Sequence, residues 1–369
     1  MKKLYILLAV LMLTGCVYPF SVELDNAVDS AIVIDANILI GNTSTVQLSY
    51  LQPLDVGQRG GSYARPTGTV YLEDEQGNTY TAFNSGSGFI IHSSDIHSSG
   101  KYRVTVVSSG KTYRSEWIEP VAPPRITDVS FSADDTNVYV EMSMETDGTG
   151  SGYAASSVDE IWKFHADYIR FYGYDPETNE VKALMSPDLS HYWCWQKNSS
   201  ALQTIIDYSG LSGRVDHYVV NTFPRNDGRN HSEYHVRVKV WNLTPEQYQY
   251  RKLLEENASI GADLFSPEPG EIRGNVYCET DPSEKVYGYV NISSVATWDA
   301  ILDSQFDKWK APNSLLELEP DQFPPMYSAG YMPVDDIIGG AGSFVVGWGR
   351  SRCYDCVMAG GTLNKPDFD

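Results

Sequence analysis

Residues 100–118, GKYRVTVVSSGKTYRSEWI, alternate with a period of two. Tyr102, Val104 and Val106 share one side of an extended chain while Arg103 and Thr105 take the other, as in a strand with one side against a core. Ser108-Ser109-Gly110 supplies small residues for a reversal, so the stretch reads as strand, turn, strand. Upstream the same pattern holds. AIVIDANILI (31–40) and TVQLSYL (45–51) are strand-like runs, and GTVYLEDEQGNTYTAF (68–83) folds back at Gln76-Gly77-Asn78. Short strands joined by polar turns over residues 31–121 predict an immunoglobulin-like or fibronectin-III-like β-sandwich.

Downstream, PVAPPRI (120–126) reads as a stiff interdomain linker, because consecutive prolines restrict the backbone and donate no hydrogen bonds. A larger β-rich domain is expected over 122–369. ITDVSFSADDTNVYVEMSM (126–144) gives two strands around Asp134-Asp135, and further strands are expected in YIRFYGYD (168–175), VDHYVVNTF (215–223) and YHVRVKVWNL (234–243). A helix near 245–257 is marked by Thr244 as N-cap, Pro245 in the first helical position and Gln247 completing a capping box. Trp298, Ile301, Leu302, Phe306 and Trp309 recur at helical spacing, so a second helix is expected over 297–309. The fold class is therefore mainly β: two β-sandwich domains, the second larger and carrying one or two helices.

The chain opens MKKLYILLAVLMLTGC. Lys2 and Lys3 precede an apolar run from Leu4 to Leu13 that is too short to span a bilayer, so residues 1–15 read as a signal peptide. Gly15 directly before Cys16 suits cleavage by a lipoprotein signal peptidase, making Cys16 the lipidation site and residues 16–30 a lipidated tether; the plainer reading is a secretory signal with a chance cysteine. Val17 in place of an aspartate points to the outer membrane, and Glu23, Asp25 and Asp29 are compatible with the cell surface. Removing residues 1–15 leaves 369 − 15 = 354 residues and takes the formal charge from −21 to −23, because Lys2 and Lys3 depart. Such acidity without a basic stripe argues against a nucleic-acid partner.

With Cys16 lipidated, Cys194, Cys278, Cys353 and Cys356 remain, an even number for an oxidising compartment. Sequence leaves all three pairings open. A redox role for Cys353-x-x-Cys356 lacks the βαβ setting such motifs occupy, and zinc would need all four thiols, or two with histidines, brought together. Disulfides involving all four are the expected state, with the Gly-rich terminal stretch stapled to the body of the domain through Cys194 or Cys278.

Among chemistry-bearing patterns, His231, Glu233 and His235 in HSEYH are spaced to converge from a strand onto one ion, but His235 shares its side with Arg237 and Lys239, which disfavours a cation. Asp159-Glu160 and the pair Glu317 and Glu319 are carboxylate candidates by composition only. No Gly-x-Ser-x-Gly, Walker or His-Glu-x-x-His motif occurs. No catalytic, metal or cofactor site is assigned. The knot HYWCWQ (191–196), within a chain of 25 tyrosines and eight tryptophans, reads first as packing around a cystine and second as a sugar- or peptide-gripping surface.

SPEPGEIRGNVYC (266–278), VYGYVNISSV (286–295) and CYDCVMAGGTLNKPDF (353–368) resemble the characteristic stretches of an uncharacterised outer-membrane lipoprotein family of Bacteroidota, catalogued as domain of unknown function forty-two forty-nine. The lipobox, the early AIVIDANI-type strand and the helix after VKVWNLTPEQYQY follow the same layout. The resemblance implies an accessory to a TonB-dependent receptor with a nutrient-capture role, and it carries over no site residues. The expected function is thus a non-enzymatic surface lipoprotein that assists such a receptor. The alternatives are an adhesion or structural lipoprotein, or a surface glycan hydrolase working through carboxylates.

Overall fold

A computed structural model of the chain describes residues 31–51, 65–92, 96–146, 151–199, 204–260, 272–303, 314–340 and 342–368. Residues 1–30, and with them the expected signal peptide, lipidation site and tether, lie outside the described residues. The first sandwich begins with β1 (Ile32–Leu39), β2 (Thr43–Tyr50), β3 (Thr69–Asp74), β4 (Thr79–Thr81), β5 (Phe83–Asn84) and β6 (Phe89–His92). It continues with β7 (Tyr102–Ser108) and β8 (Lys111–Ser115), the hairpin read from residues 100–118. Ser108 pairs directly with Lys111 across the two-residue turn. Ser109 and Gly110 there hold φ of 51° and 76°, the doubly left-handed geometry whose twist matches the flanking strands. Tyr102, Val104 and Val106 are buried, as the alternation requires.

The second sandwich is built from β9 (Arg125–Ala133), β10 (Asn137–Glu145), β11 (Tyr153–His165), β14 (Trp193–Ser199), β15 (Thr204–Asp207), β16 (Arg214–Pro224) and β17 (Glu233–Asn242), with the hairpin β12 (Arg170–Asp175) and β13 (Glu180–Asp188) branching off. One sheet has the order β16-β10-β9. The other centres on β11, flanked by β14 and β15 along one edge and by β17 on the other. Val138, Val140, Met142 and Met144 from the first sheet meet Val158, Trp162, Val236 and Val238 from the second in one core.

After β17 come helix α1 (Pro245–Ile260) and three short strands, β18 (Val276–Cys278), β19 (Val286–Tyr287) and β20 (Val290–Ser293). These strands return to the first sandwich. β18 pairs antiparallel with β8, and β19 and β20 lie in succession parallel to β1. The two sheets become β18-β8-β7-β3-β4 and β19-β1-β2-β6-β5, with β20 also on β1. Val276, Val286, Val290 and Ile292 enter the same core as Ile34 and Val104. A linear division at residue 121 is therefore incomplete: the first sandwich takes its last strands from a segment that β-ladders pull back across the whole second sandwich.

β21 (Ala296–Asp303) then crosses to pair antiparallel with β17. This corrects the helix expected over 297–309, whose residues 304–309 lie outside the described residues. Its apparent helical stripe is not a buried one: Ile301 is 61% exposed while Leu302 is buried. A continuous ladder from Val240 to Glu233 supplies hydrogen bonds that an isolated helical turn would not match. A small third sheet of β22 (Leu316–Glu317), β24 (Phe344–Arg350) and β23 (Tyr331–Ile338), with helices α2 (Phe323–Ser328) and α3 (Ser351–Tyr354), packs beside β12. Tyr174 and Phe323 close around the buried Trp348 there. The proline-rich linker is held at both sides, since Val121 bridges to Ser293 and Asn242 Nδ2 donates to the Ala122 carbonyl at 2.8 Å. Leu39 of the first sandwich and Ala155, Trp241 and Leu243 of the second share a further buried cluster.

Candidate ligand groove

The site follows from where α1 lands. Thr244 Oγ1 accepts the Gln247 amide at 3.2 Å, the cap expected from the sequence. Gln247 does not complete the reciprocal half of a capping box: its side chain is 1% exposed and its Oε1 has no hydrogen-bond partner. Tyr248 pins the helix to the second sandwich by stacking on Tyr153 at 3.9 Å and donating its hydroxyl to Asp207 at 3.2 Å. Gln247, Tyr250, Arg251 and Leu254 fall three and four residues apart and therefore share a side. They line a cavity against the first sandwich.

The floor is the outer side of a paired sheet. Asp35 and Asn37 of β1 are two apart and point the same way, as do Thr45 and Gln47 of β2. Asp35 sits opposite Gln47 in the ladder, and Asn37 opposite Asn291 of β20. Asn291 Nδ2 donates to Asn37 Oδ1 at 2.8 Å. This cavity encloses about 450 Å³. Tyr250 and Tyr289, with ring centroids 4.9 Å apart, form a partition. Beyond it lies a second cavity of about 590 Å³ that shares Tyr250, Tyr289 and Asn291 with the first and is walled farther out by Trp117, Leu253 and Arg273. Trp117 remains 42% exposed although the Arg103 guanidinium lies 4.4 Å over its ring.

Gly288 makes the partition's placement possible. Its φ is +103°, and a Cβ there would stand 2.2 Å from the Ile34 carbonyl oxygen, so only glycine lets the chain press onto β1 between β19 and β20. The next residue, Tyr289, then donates its amide to Asp35 Oδ1 at 3.0 Å. Solvent reaches Asp35 through the mouth of the groove, but the crowding walls strip enough water to raise its pKa above the ordinary carboxylate value, against the Tyr289 amide and the Arg251 charge. Burial likewise lowers Arg251, opposed by Glu255 and Asp35, and pushes the Tyr250 phenol up, with the Asp35 charge adding to the rise. The groove holds polar groups at a desolvation cost, as ligand sites do.

The family model described as "Domain of unknown function (DUF4249)" matches residues 17–298. The chain belongs to this family. The whole groove, from Asp35 to Asn291, lies inside the DUF4249 match, whereas the terminal Cys353-x-x-Cys356 block lies beyond it. No curated protein matches the sequence. Among solved structures, a two fibronectin type-III domain segment from chicken tenascin is similar at 11% identity over 57% of this chain and 89% of that one, with a TM-score of 0.17. At that score nothing is built on the likeness, and the β-sandwich assignment stands on the ladders described above.

The residues singled out in the sequence of this DUF4249 chain are scattered. Cys194 and Cys356 form a disulfide across 162 residues, which staples the terminal block to β14. Cys278 and Cys353 are buried free thiols, which corrects the expectation that all four would be bridged. The two lie in different places: Cys278 belongs to the core of the first sandwich, and Cys353 sits in α3 beneath the third sheet. Burial raises the Cys353 thiol above its ordinary pKa.

His231 stacks on His165 at 4.2 Å, while His235 Nε2 meets Glu233 at 3.0 Å and Lys365 at 3.1 Å, so HSEYH is not gathered around one point. Asp159 and Glu160 point to opposite sides of β11, one to Lys239 at 2.8 Å and the other into the core. Glu317 accepts from the Gly340 amide at 2.8 Å, and Glu319 is exposed. In HYWCWQ Cys194 is buried in the core and Tyr192 packs against it. Trp193 is 39% exposed, and Lys163 lies over both Trp193 and Trp195. The groove residues were missed in the sequence because Asp35 and Asn37 in AIVIDANILI carry the same alternation as any solvent-facing side of a strand. Gln247 reads in the sequence as an ordinary capping residue, and its burial is visible only in the structure.

Proposed function

We propose that this protein is a non-enzymatic lipoprotein of the outer membrane that captures a ligand in the groove beneath α1 and passes it to a TonB-dependent receptor. The groove carries the ligand-capture reading: two cavities joined at a tyrosine pair, walled by polar side chains and bounded by both sandwiches. Support for a non-catalytic role comes from the carboxylate candidates, since Asp159 and Glu160 are turned apart and each is held by a basic partner. Anchoring rests on the lipobox at Cys16. The receptor partner rests on what the family resemblance implies. The test is to solubilise tagged protein from native outer membranes in mild detergent and identify what co-purifies. A TonB-dependent receptor in near-equal amount is expected, and Cys16→Ala should abolish both membrane association and co-purification. Protein that emerges alone from intact membranes would remove the receptor from the proposal.

A further inference from the structure

Building on the ligand-capture reading, we infer that the ligand is a neutral oligosaccharide long enough to occupy both cavities, with Trp117 as its stacking platform and the amides and carboxylate around Asp35 as its hydrogen-bonding partners. Three observations point there. The floor of the first cavity is built on β1, which has ladder partners on both sides, so most of its backbone N–H and C=O groups are spent and recognition falls mainly to side chains. A peptide ligand read through its main chain would instead need a free strand edge. The accessible side chains are planar and two-pronged: Asp35, Asn37 and Gln47, with Asn37 held in place by the buried Asn291. Each presents a pair of coplanar donors or acceptors of the kind that meets neighbouring hydroxyls on one ring. Gln247 is 1% exposed with an oxygen that has no hydrogen-bond partner, so a small shift of the wall that let a ligand hydroxyl reach it would relieve an existing cost.

The second cavity supplies what the first lacks. Trp117 keeps a large exposed apolar surface at its wall although Arg103 already covers the ring from one side. A flat apolar ring beside polar groups suits the C–H side of a sugar. The cavities share the Tyr250–Tyr289 partition, which favours a chain of sugar units threading past it over two independent small molecules. Charge narrows the class. Asp35, Glu255, Glu116, Glu119 and Glu246 face Arg251 and Arg273, an acidic excess that disfavours uronic-acid polymers.

The test is calorimetric titration of the full mature chain, purified without its lipid, against cello-, xylo-, malto-, manno- and laminari-hexaose and their disaccharides. Oligogalacturonate, hexa-alanine and hexa-lysine serve as comparators. At least one neutral hexaose should bind about ten-fold or more tighter than its disaccharide. Trp117→Ala should weaken it by about ten-fold or more while Trp117→Phe largely restores it, and Asn37→Ala with Gln47→Ala should weaken it from the other cavity. Unfolding midpoints within a few degrees of the parent would show that these variants are folded. Sugar binding that ignores both sets of variants would overturn the site. Peptide binding without sugar binding would overturn the ligand class while leaving ligand capture intact. A receptor that co-purifies with a protein binding none of the sugars would likewise overturn this inference, and sugar binding without a receptor would overturn only the partnership.

Discussion

Glu160 shows how much a single residue holds in the second sandwich. It is 2% exposed, and its two oxygens accept from Tyr234, Asn221 and Asn198 at 2.7–2.9 Å. Arg229 Nε lies 3.0 Å away but off the hydrogen-bond direction, so that contact is ionic. Burial, and then the Glu160 charge, hold the Tyr234 phenol well above its ordinary pKa and keep it a neutral donor. Glu160→Gln keeps the shape but leaves the Arg229 charge with only the more exposed Asp227, 3.3 Å away, as counter-charge. Stability should fall by about 3 kcal/mol, read as a lower urea midpoint at unchanged slope. Adding Arg229→Met should recover part of the loss, because a buried pair is costlier to break than to replace.

Carboxylates where strands run into turns carry much of the acid response. Asp74, Asp134, Asp175, Asp188, Asp207 and Asp281 each accept the amide two residues on, and each is held below the ordinary carboxylate pKa. For Asp188 the Ser190 hydroxyl and amide come first, then Arg170, and the value falls from 3.8 to about 2. A folded pKa below the unfolded one adds stability above 3.8 that is lost as pH falls toward 2. The melting temperature should therefore decline over that interval, and Asp188→Asn should flatten part of the decline. Asp35, raised instead, contributes with the opposite sign. The same elements show what was legible in the sequence. β7 and β8 were plain because apolar and polar residues alternate around a turn of small residues. β11 was not, because both its sides are largely buried and Ser156 and Glu160 interrupt the apolar period. β21 imitated a helix because an edge strand tolerates a partly exposed Trp298 on one side and an exposed Ile301 on the other. The groove residues were illegible for another reason: their role depends on α1 arriving from a distant part of the chain.

At the scale of the molecule the two sandwiches are not separable. Residues 31–121 alone lack β18, β19 and β20, which leaves β8 and β1 as open edges and removes Val276, Val286, Val290 and Ile292 from the core. That fragment should unfold without a cooperative transition by circular dichroism, and joining residues 272–293 to it through a flexible linker should restore one. The disulfide adds a long-range constraint of its own, holding the terminal block against β14. The parallel pairing of β1 has a further effect, on time. Tyr289 and Asp35 meet across 254 residues. A chain emerging from its N-terminus at roughly 5–20 residues per second must therefore hold β1 half-paired for about ten to fifty seconds. The sandwich that is synthesised first is the last to close, and through that interval its unfinished edge depends on whatever else in the cell keeps nascent chains apart.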